Sequence, residues 1–173
     1  LIPTGKGTSA SHLSWTDDKF VEGEASIIEI SGVYKKYHCP MARTVLLGKP
    51  DQKKIDTMKR TREALQAGID VTKPGNTADD VAQAFWKVLD KYGIEKKSRT
   101  GYSIGIGYPP DWGEHTLNIQ KGDKTVLEKN ICFHMIAVMQ FGEWGVESSE
   151  SIRVTENGAE NFYKFPDELH IKG

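Results

Sequence analysis

The chain has 173 residues, 38% of them hydrophobic and 27% charged, the make-up of one soluble domain with a real core. Its 23 basic and 24 acidic residues are interspersed and leave a formal net charge of −1, which argues against nucleic acid or an anionic membrane as partner. No apolar run approaches the roughly 20 residues that cross a bilayer. Cys39 and Cys132 are too few for a disulfide framework and form no CxxC pair, which fits a reducing, cytoplasmic setting. The first residues, Leu-Ile-Pro-Thr-Gly-Lys-Gly, are not a targeting segment, and without an initiator Met they imply that upstream sequence lies outside this chain.

The opening residues are rich in Gly, Ser and Thr and read as a loop leading to His12, Ser14 and Trp15. Ala25 to Val33 reads as a buried strand, with Ile27, Ile28 and Ile30 around Glu29. A second strand follows near Met41 to Leu47. Lys49-Pro50-Asp51 opens a helix carrying Ile55, Met58, Leu65 and Ile69. The next helix is the clearest element. Asn76 or Thr77 caps it, Asp79 and Asp80 stand in its first turn, and Gly93 closes it. Between them Val81, Ala84, Phe85, Val88, Leu89 and Tyr92 form a one-sided apolar face. Strands are then predicted over Tyr102 to Ile106, Ile131 to Met139 and Ser151 to Thr155. A turn-rich loop, Tyr108-Pro109-Pro110-Asp111-Trp112-Gly113-Glu114, lies between the first two of these. Hairpin, two helices and several strands make an α+β chain.

Four motifs in this order resemble a known superfamily. Ile27-Ile28-Glu29-Ile30-Ser31-Gly32-Val33-Tyr34 through Ala42-Arg43-Thr44-Val45-Leu46-Leu47-Gly48 is similar to the strand pair of the creatinase, prolidase and aminopeptidase P superfamily. Gly101-Tyr102-Ser103-Ile104-Gly105 resembles its Gly-His-x-x-Gly turn. Leu127 to Phe133 and Trp144 to Gly158 resemble its last two segments. The match runs from about Ser9 to Phe162. It implies the pita-bread fold, two pseudo-symmetric halves each of two helices and a curved sheet. Residues 1–173 would then lack the first helices of the domain and any upstream amino-terminal domain. A homodimer is implied for the full-length protein.

Metallopeptidases of this superfamily bind two divalent metals through five side chains. Aligned through the motifs, those positions are Glu29, Pro40, Tyr102, Ile136 and Ser149, with Glu150 in place of Ser149 if the last segment slips by one. Pro and Ile have no donor atom, and neutral Tyr or Ser is a poor ligand for a hard cation. The resemblance thus implies no metal and no other cofactor. The Tyr after Gly101, the Tyr-Pro-Pro-Asp-Trp-Gly-Glu loop, Phe133-His134-Met135 and Trp144-Gly145 are most similar to the ectoine hydrolases. Those family members open a cyclic amidine to an N-acetylated diamino acid. A protonated amidine already carries the positive charge that a Lewis acid would otherwise induce. It needs a carboxylate facing the ring carbon, a proton shuttle and aromatic walls.

Glu29 is the expected nucleophile, or the base for a water. His12 falls where the superfamily carries a substrate-guarding His; it is either a proton donor or a loop residue without a role. His134 lies on an apolar strand and is either a satisfied core residue or a second proton carrier. Trp112 and Trp144, beside Asp111 and Glu143, are expected to hold a cationic or zwitterionic ring, or else simply to pack. Tyr102 and Tyr34 are expected hydrogen-bond donors. Glu150 is a further substrate-binding candidate, and Glu147 reads as a surface charge. His38, His115 and His170 read as surface residues, and Lys96-Lys97-Ser98-Arg99 as a solvated linker. Two other readings stay open: a non-catalytic module that binds a peptide or protein, and a creatinase-like amidinohydrolase.

Overall fold

The computed structural model describes residues 1–13, 16–108, 111–166 and 168–173. Ser14, Trp15, Pro109 and Pro110, which belong to the two loops noted above, lie outside these residues. Strands β1 (Ala25–Tyr34) and β2 (Tyr37–Leu47) form a long antiparallel hairpin, paired from Ala25↔Leu46 to Tyr34↔Tyr37. Its two-residue turn puts both Lys35 and Lys36 at positive φ, 47° and 70°, the backbone twist that a tight hairpin requires. Pairing therefore begins at Tyr37, four residues earlier than the sequence indicates.

Helices α1 (Gln52–Val71) and α2 (Ala78–Lys91) follow. Asp51 caps α1 by accepting from the Lys54 N–H at 2.8 Å. Of the two predicted caps it is Thr77 that caps α2, in a reciprocal box with Asp80. Phe85, Leu89, Val81 and Leu65 pack on the sheet with Phe133, Met135 and Ile152, all buried in one core cluster. Removing such side chains from water contributes roughly 1.5–3 kcal/mol each. Gly68 lets α1 sit close to the sheet, because a Cβ there would meet the Met135 methyl at 2.0 Å.

The remaining strands are β3 (Gly101–Tyr108), β4 (Asp111–Ile119), β5 (Cys132–Gln140), β6 (Gly145–Val154), β7 (Ala159–Asn161) and β8 (His170–Lys172). They complete one eight-stranded sheet in the order β1-β2-β3-β5-β6-β7, with β4 on β3 and β8 parallel to β2. The later part of β2 also meets β6, at Arg43↔Ser148. Asp111 to Glu114, expected in a loop, instead begin β4; register shifts along the β3–β4 pair hide its periodicity.

Strand β6 starts six residues before the predicted Ser151. Its Glu147-Ser148-Ser149-Glu150-Ser151 run is buried although polar, so hydrophobic alternation cannot reveal it. Specific bonds satisfy much of it: Ser151 Oγ donates to the Pro40 carbonyl at 2.6 Å, and Arg43 pairs with Glu150 at 2.5 Å. Among the described residues no helix is long and apolar enough to cross a membrane.

Candidate functional site

Cross-strand partners set Glu29 beside Ala42, Tyr102 beside His134, and Ile136 beside Ser149. Side chains alternate along a strand, so Glu147 and Ser149 share one side of β6 while Ser148 and Glu150 take the other. A cleft of about 830 Å³ opens over this region, walled by Glu29, Tyr102, Trp112, Ile136, Val138 and Glu147. His12, Arg99, Asp111 and His115 stand around it. Gly101 allows β3 and β5 to come together there, since a Cβ would lie 2.9 Å from the His134 carbonyl oxygen.

Two carboxylates dominate the electrostatics. Glu29 is only 6% exposed and Glu147 7%. Burial raises the Glu29 pKa, and nearby His12 opposes that shift. Burial, and next the Glu29 charge, push Glu147 much further up, against the attraction of Lys96. The pair therefore shares one site in which burial and mutual repulsion resist ionising both acids together, so that one can hold a proton while the other is charged. Lys96, read from the sequence as solvated, is buried, and that burial lowers its pKa to about 8.

Behind the wall runs a hydrogen-bonded chain. Trp112 Nε1 donates to Tyr102 Oη at 2.6 Å, and Tyr102 Oη lies 3.1 Å from His134 Nδ1. His134 Nε2 lies 2.6 Å from Ser149 Oγ, which accepts from the Ala42 N–H at 2.7 Å. His134 is fully buried, and desolvation lowers its pKa to about 3, so its ring is neutral. Burial raises Tyr102 to about 12, which keeps its hydroxyl protonated. The Arg99 guanidinium lies 4.6 Å from the Tyr102 ring centroid.

The structure thus brings Glu29, His12, Tyr102, Asp111 and Trp112 to one cleft, with His134 directly behind Tyr102. Four other candidates lie elsewhere. Tyr34, 74% exposed, is at the hairpin tip, against a second hollow of about 770 Å³ that Glu114 also lines. Trp144 stacks on Phe141 at 4.5 Å, and Glu143 pairs with Lys6 in solvent at 3.1 Å. Glu150 faces away from the cleft because it occupies the alternate side of β6, where Arg43 pairs with it. His38 is buried rather than on the surface, since β2 begins early enough to carry it into the sheet. His115 is exposed and lies 2.7 Å from Asp111. Burial raises both cysteine thiols, which argues against a thiolate nucleophile.

Sequence reading missed Glu147 and Arg99. The signal for Glu147 was available in part: it stands two residues before Ser149, and period-two alternation aims both the same way. Nothing local marks Arg99, which reaches the cleft only through the fold.

Comparison with known proteins bears on the fold and the family. The profile described as metallopeptidase family M24 matches residues 1–156. An ectoine hydrolase of Halomonas elongata is 44% identical over 173 residues, covering 99% of this chain and 43% of that protein. An uncharacterised hydrolase/peptidase of Sinorhizobium fredii is 37% identical over 168 residues, covering 97% of this chain and 43% of that protein. The chain thus spans less than half the length of these relatives. The crystal structure of dipeptidase PepE from Mycobacterium ulcerans superimposes with a TM-score of 0.92 at 27% identity, over 99% of this chain and 46% of that one.

A metallopeptidase family implies a metal, and the donor set here does not fit one. Of the five positions that the resemblance aligns with metal ligands, only Glu29 is a carboxylate facing the cleft, because the alternative Glu150 is paired with Arg43 on the other side of β6. Ser149 is already committed to Ala42 and His134, and Tyr102 to Trp112 and His134. Among the described residues no three His, Cys, Asp or Glu side chains converge as metal ligands would. Fold, motif order and match agree across the departure in chemistry: the chain has the pita-bread fold and belongs to metallopeptidase family M24.

Proposed function

We propose that this chain is the catalytic part of a hydrolase that opens a small cyclic amidine of the ectoine type without a metal. The observation that carries the reading is that Glu29 and Glu147, both buried, line one aromatic-walled cleft, where burial raises both acids. Two buried carboxylates facing one cleft cannot both ionise readily, so one serves as acid and the other as base; in the proposed reaction Glu29 takes the base role and Glu147 the acid role. The 44% identity to an ectoine hydrolase supports the substrate class.

The amidinium carbon is electrophilic without further activation. Glu29 brings an oxygen to it, by direct attack or by taking a proton from water. Glu147 then gives its proton to the departing ring nitrogen and the C–N bond breaks. In the balance, the water oxygen becomes the amide oxygen. Both water hydrogens end on the departing nitrogen, which leaves as an ammonium group. Trp112 and Tyr102 offer aromatic faces to the cationic ring, a contact of about 0.5–2 kcal/mol. Arg99 suits the carboxylate of a zwitterionic substrate. Such a protein would act in the cytoplasm, where compatible solutes accumulate, and as a dimer when full length.

A peptide-binding module would have no need of two buried acids facing one cleft. The deciding experiment incubates the full-length protein with ectoine in excess chelator and follows N-acetyl-diaminobutyrate by NMR. Turnover is expected. Activity that appears only on adding manganese or zinc would overturn the metal-free reading.

A further inference from the structure

The chain Trp112–Tyr102–His134–Ser149–Ala42 has a direction, and that direction follows from counting donors and acceptors. Its two ends are unambiguous. An indole N–H can only donate, so Tyr102 Oη accepts from Trp112. A backbone N–H can only donate, so Ser149 Oγ accepts from Ala42. Ser149 is fully buried, and among the described residues its hydroxyl hydrogen has one acceptor in reach, His134 Nε2 at 2.6 Å. Were Nε2 to carry the ring hydrogen instead, two donors would face each other or the Ser149 hydrogen would be left buried and unbonded.

The ring hydrogen therefore sits on Nδ1, which donates to Tyr102 Oη at 3.1 Å. Tyr102 Oη now accepts twice, from Trp112 and from His134, and both of its lone pairs are used. Among the described residues its own hydrogen has no partner in the wall, and it turns into the cleft that Tyr102 lines with Glu29 and Glu147. We propose that His134 and Ser149 are positioning residues which hold Tyr102 as an obligate donor, aimed at the oxygen that Glu29 delivers to the substrate carbon. This rests on the reaction proposed above and deepens it.

An amidinium ring offers N–H donors and no acceptor, so it repels this hydroxyl while the ring is intact. The acceptor comes into being only when oxygen has bonded to carbon. Tyr102 thus stabilises the reacting state more than the bound substrate, the differential that raises kcat rather than lowering KM. His134 does this without touching the substrate and without changing its charge.

Two measurements test the proposal. A neutron crystal structure of the full-length wild-type protein should show deuterium on His134 Nδ1, on Ser149 Oγ directed at Nε2, and on Tyr102 Oη directed into the cleft. Deuterium on Nε2 would overturn the assignment, and this map needs neither a variant nor a substrate. In steady-state kinetics with ectoine, Ser149→Ala should lower kcat by on the order of tenfold while KM changes by less than about twofold. Ser149→Thr, which keeps the hydroxyl, should recover most of the loss. An unchanged kcat in Ser149→Ala would remove the positioning role even if the map is as expected. Should Ser149→Ala not fold, Tyr102→Phe must show the same kcat-dominated loss, about a hundredfold, or the role falls. If the wild-type protein turns over no amidine, the proposed reaction fails, while the deuterium map still decides the direction of the chain.

Discussion

Thr44 and Glu147 are joined by two reciprocal hydrogen bonds. The Thr44 hydroxyl donates to the Glu147 carbonyl at 2.8 Å and accepts from the Glu147 N–H at 2.7 Å. A side chain thereby takes the place of a backbone ladder where β2 meets β6, and it sets the acid of β6 next to the acid of β1. Thr44→Val keeps the shape and loses both bonds. Leaving two buried backbone groups unpaired should cost about 2–4 kcal/mol, read as a lower urea midpoint. Thr44→Ser should retain most of the stability.

The acid pair predicts a bell-shaped pH profile for kcat/KM. Activity should rise as Glu29 ionises, above the ordinary glutamate value of about 4.3, since burial raises it. It should fall where Glu147, raised further by burial and by Glu29, gives up its proton. Lys96 opposes that second shift, so Lys96→Met should move the alkaline limb to higher pH. Glu29→Gln should abolish turnover with the fold intact, and Glu147→Gln should lower kcat by roughly 10² to 10⁴. A Glu147→Gln protein with a normal rate and both limbs would remove Glu147 from the mechanism.

Arg43 and Glu150 form an ion pair on the other side of β6, with side chains only 6% and 5% exposed. Removing one partner strands a buried charge, which typically costs about 3–5 kcal/mol. Glu150→Ala should therefore lower stability sharply while leaving KM of the folded fraction near wild type. A large rise in KM without loss of stability would instead assign Glu150 to substrate.

Asp79, in the first turn of α2, accepts from the Gly122 N–H at 2.7 Å and from Lys124 at 2.5 Å. The Gly122 N–H, and then Lys124, lower its pKa to about 2. A depressed carboxyl stabilises the fold above its ordinary value of about 3.9, and that contribution is lost as pH falls toward 2. Asp79→Asn should remove this component, so wild type and variant should converge in stability over that acid window in thermal melts.

The sequence was most legible where one rule governed each residue. Helix α2 kept its predicted start at Thr77 and the buried Val81, Phe85 and Leu89 of its stripe, because capping and helical period are local; the buried face is shifted toward Ala82 and Trp86, leaving Ala84, Val88 and Tyr92 half-buried. The hairpin was legible through Ile27 to Ile30 and through Arg43-Thr44, but not at its tip, where two lysines take a conformation that glycine or asparagine normally fills. Strand β6 was illegible because its partners are distant in sequence: Glu147, Ser149 and Ser151 are satisfied by Thr44, His134 and Pro40. In the cleft, Glu29 stood out as an acid inside an apolar run. Glu147 was hidden among polar neighbours, and Trp144 was mistaken for a cleft aromatic because adjacency to Glu143 in sequence says nothing about the side of the sheet.

Ser149 is wired into the wall from both sides, by the Ala42 N–H and by the His134 ring. Placing a carboxylate at that position would bury a charge against a neutral histidine and take the hydroxyl from both of its partners. Any change of residue at position 149 therefore acts first on the support that His134 gives Tyr102.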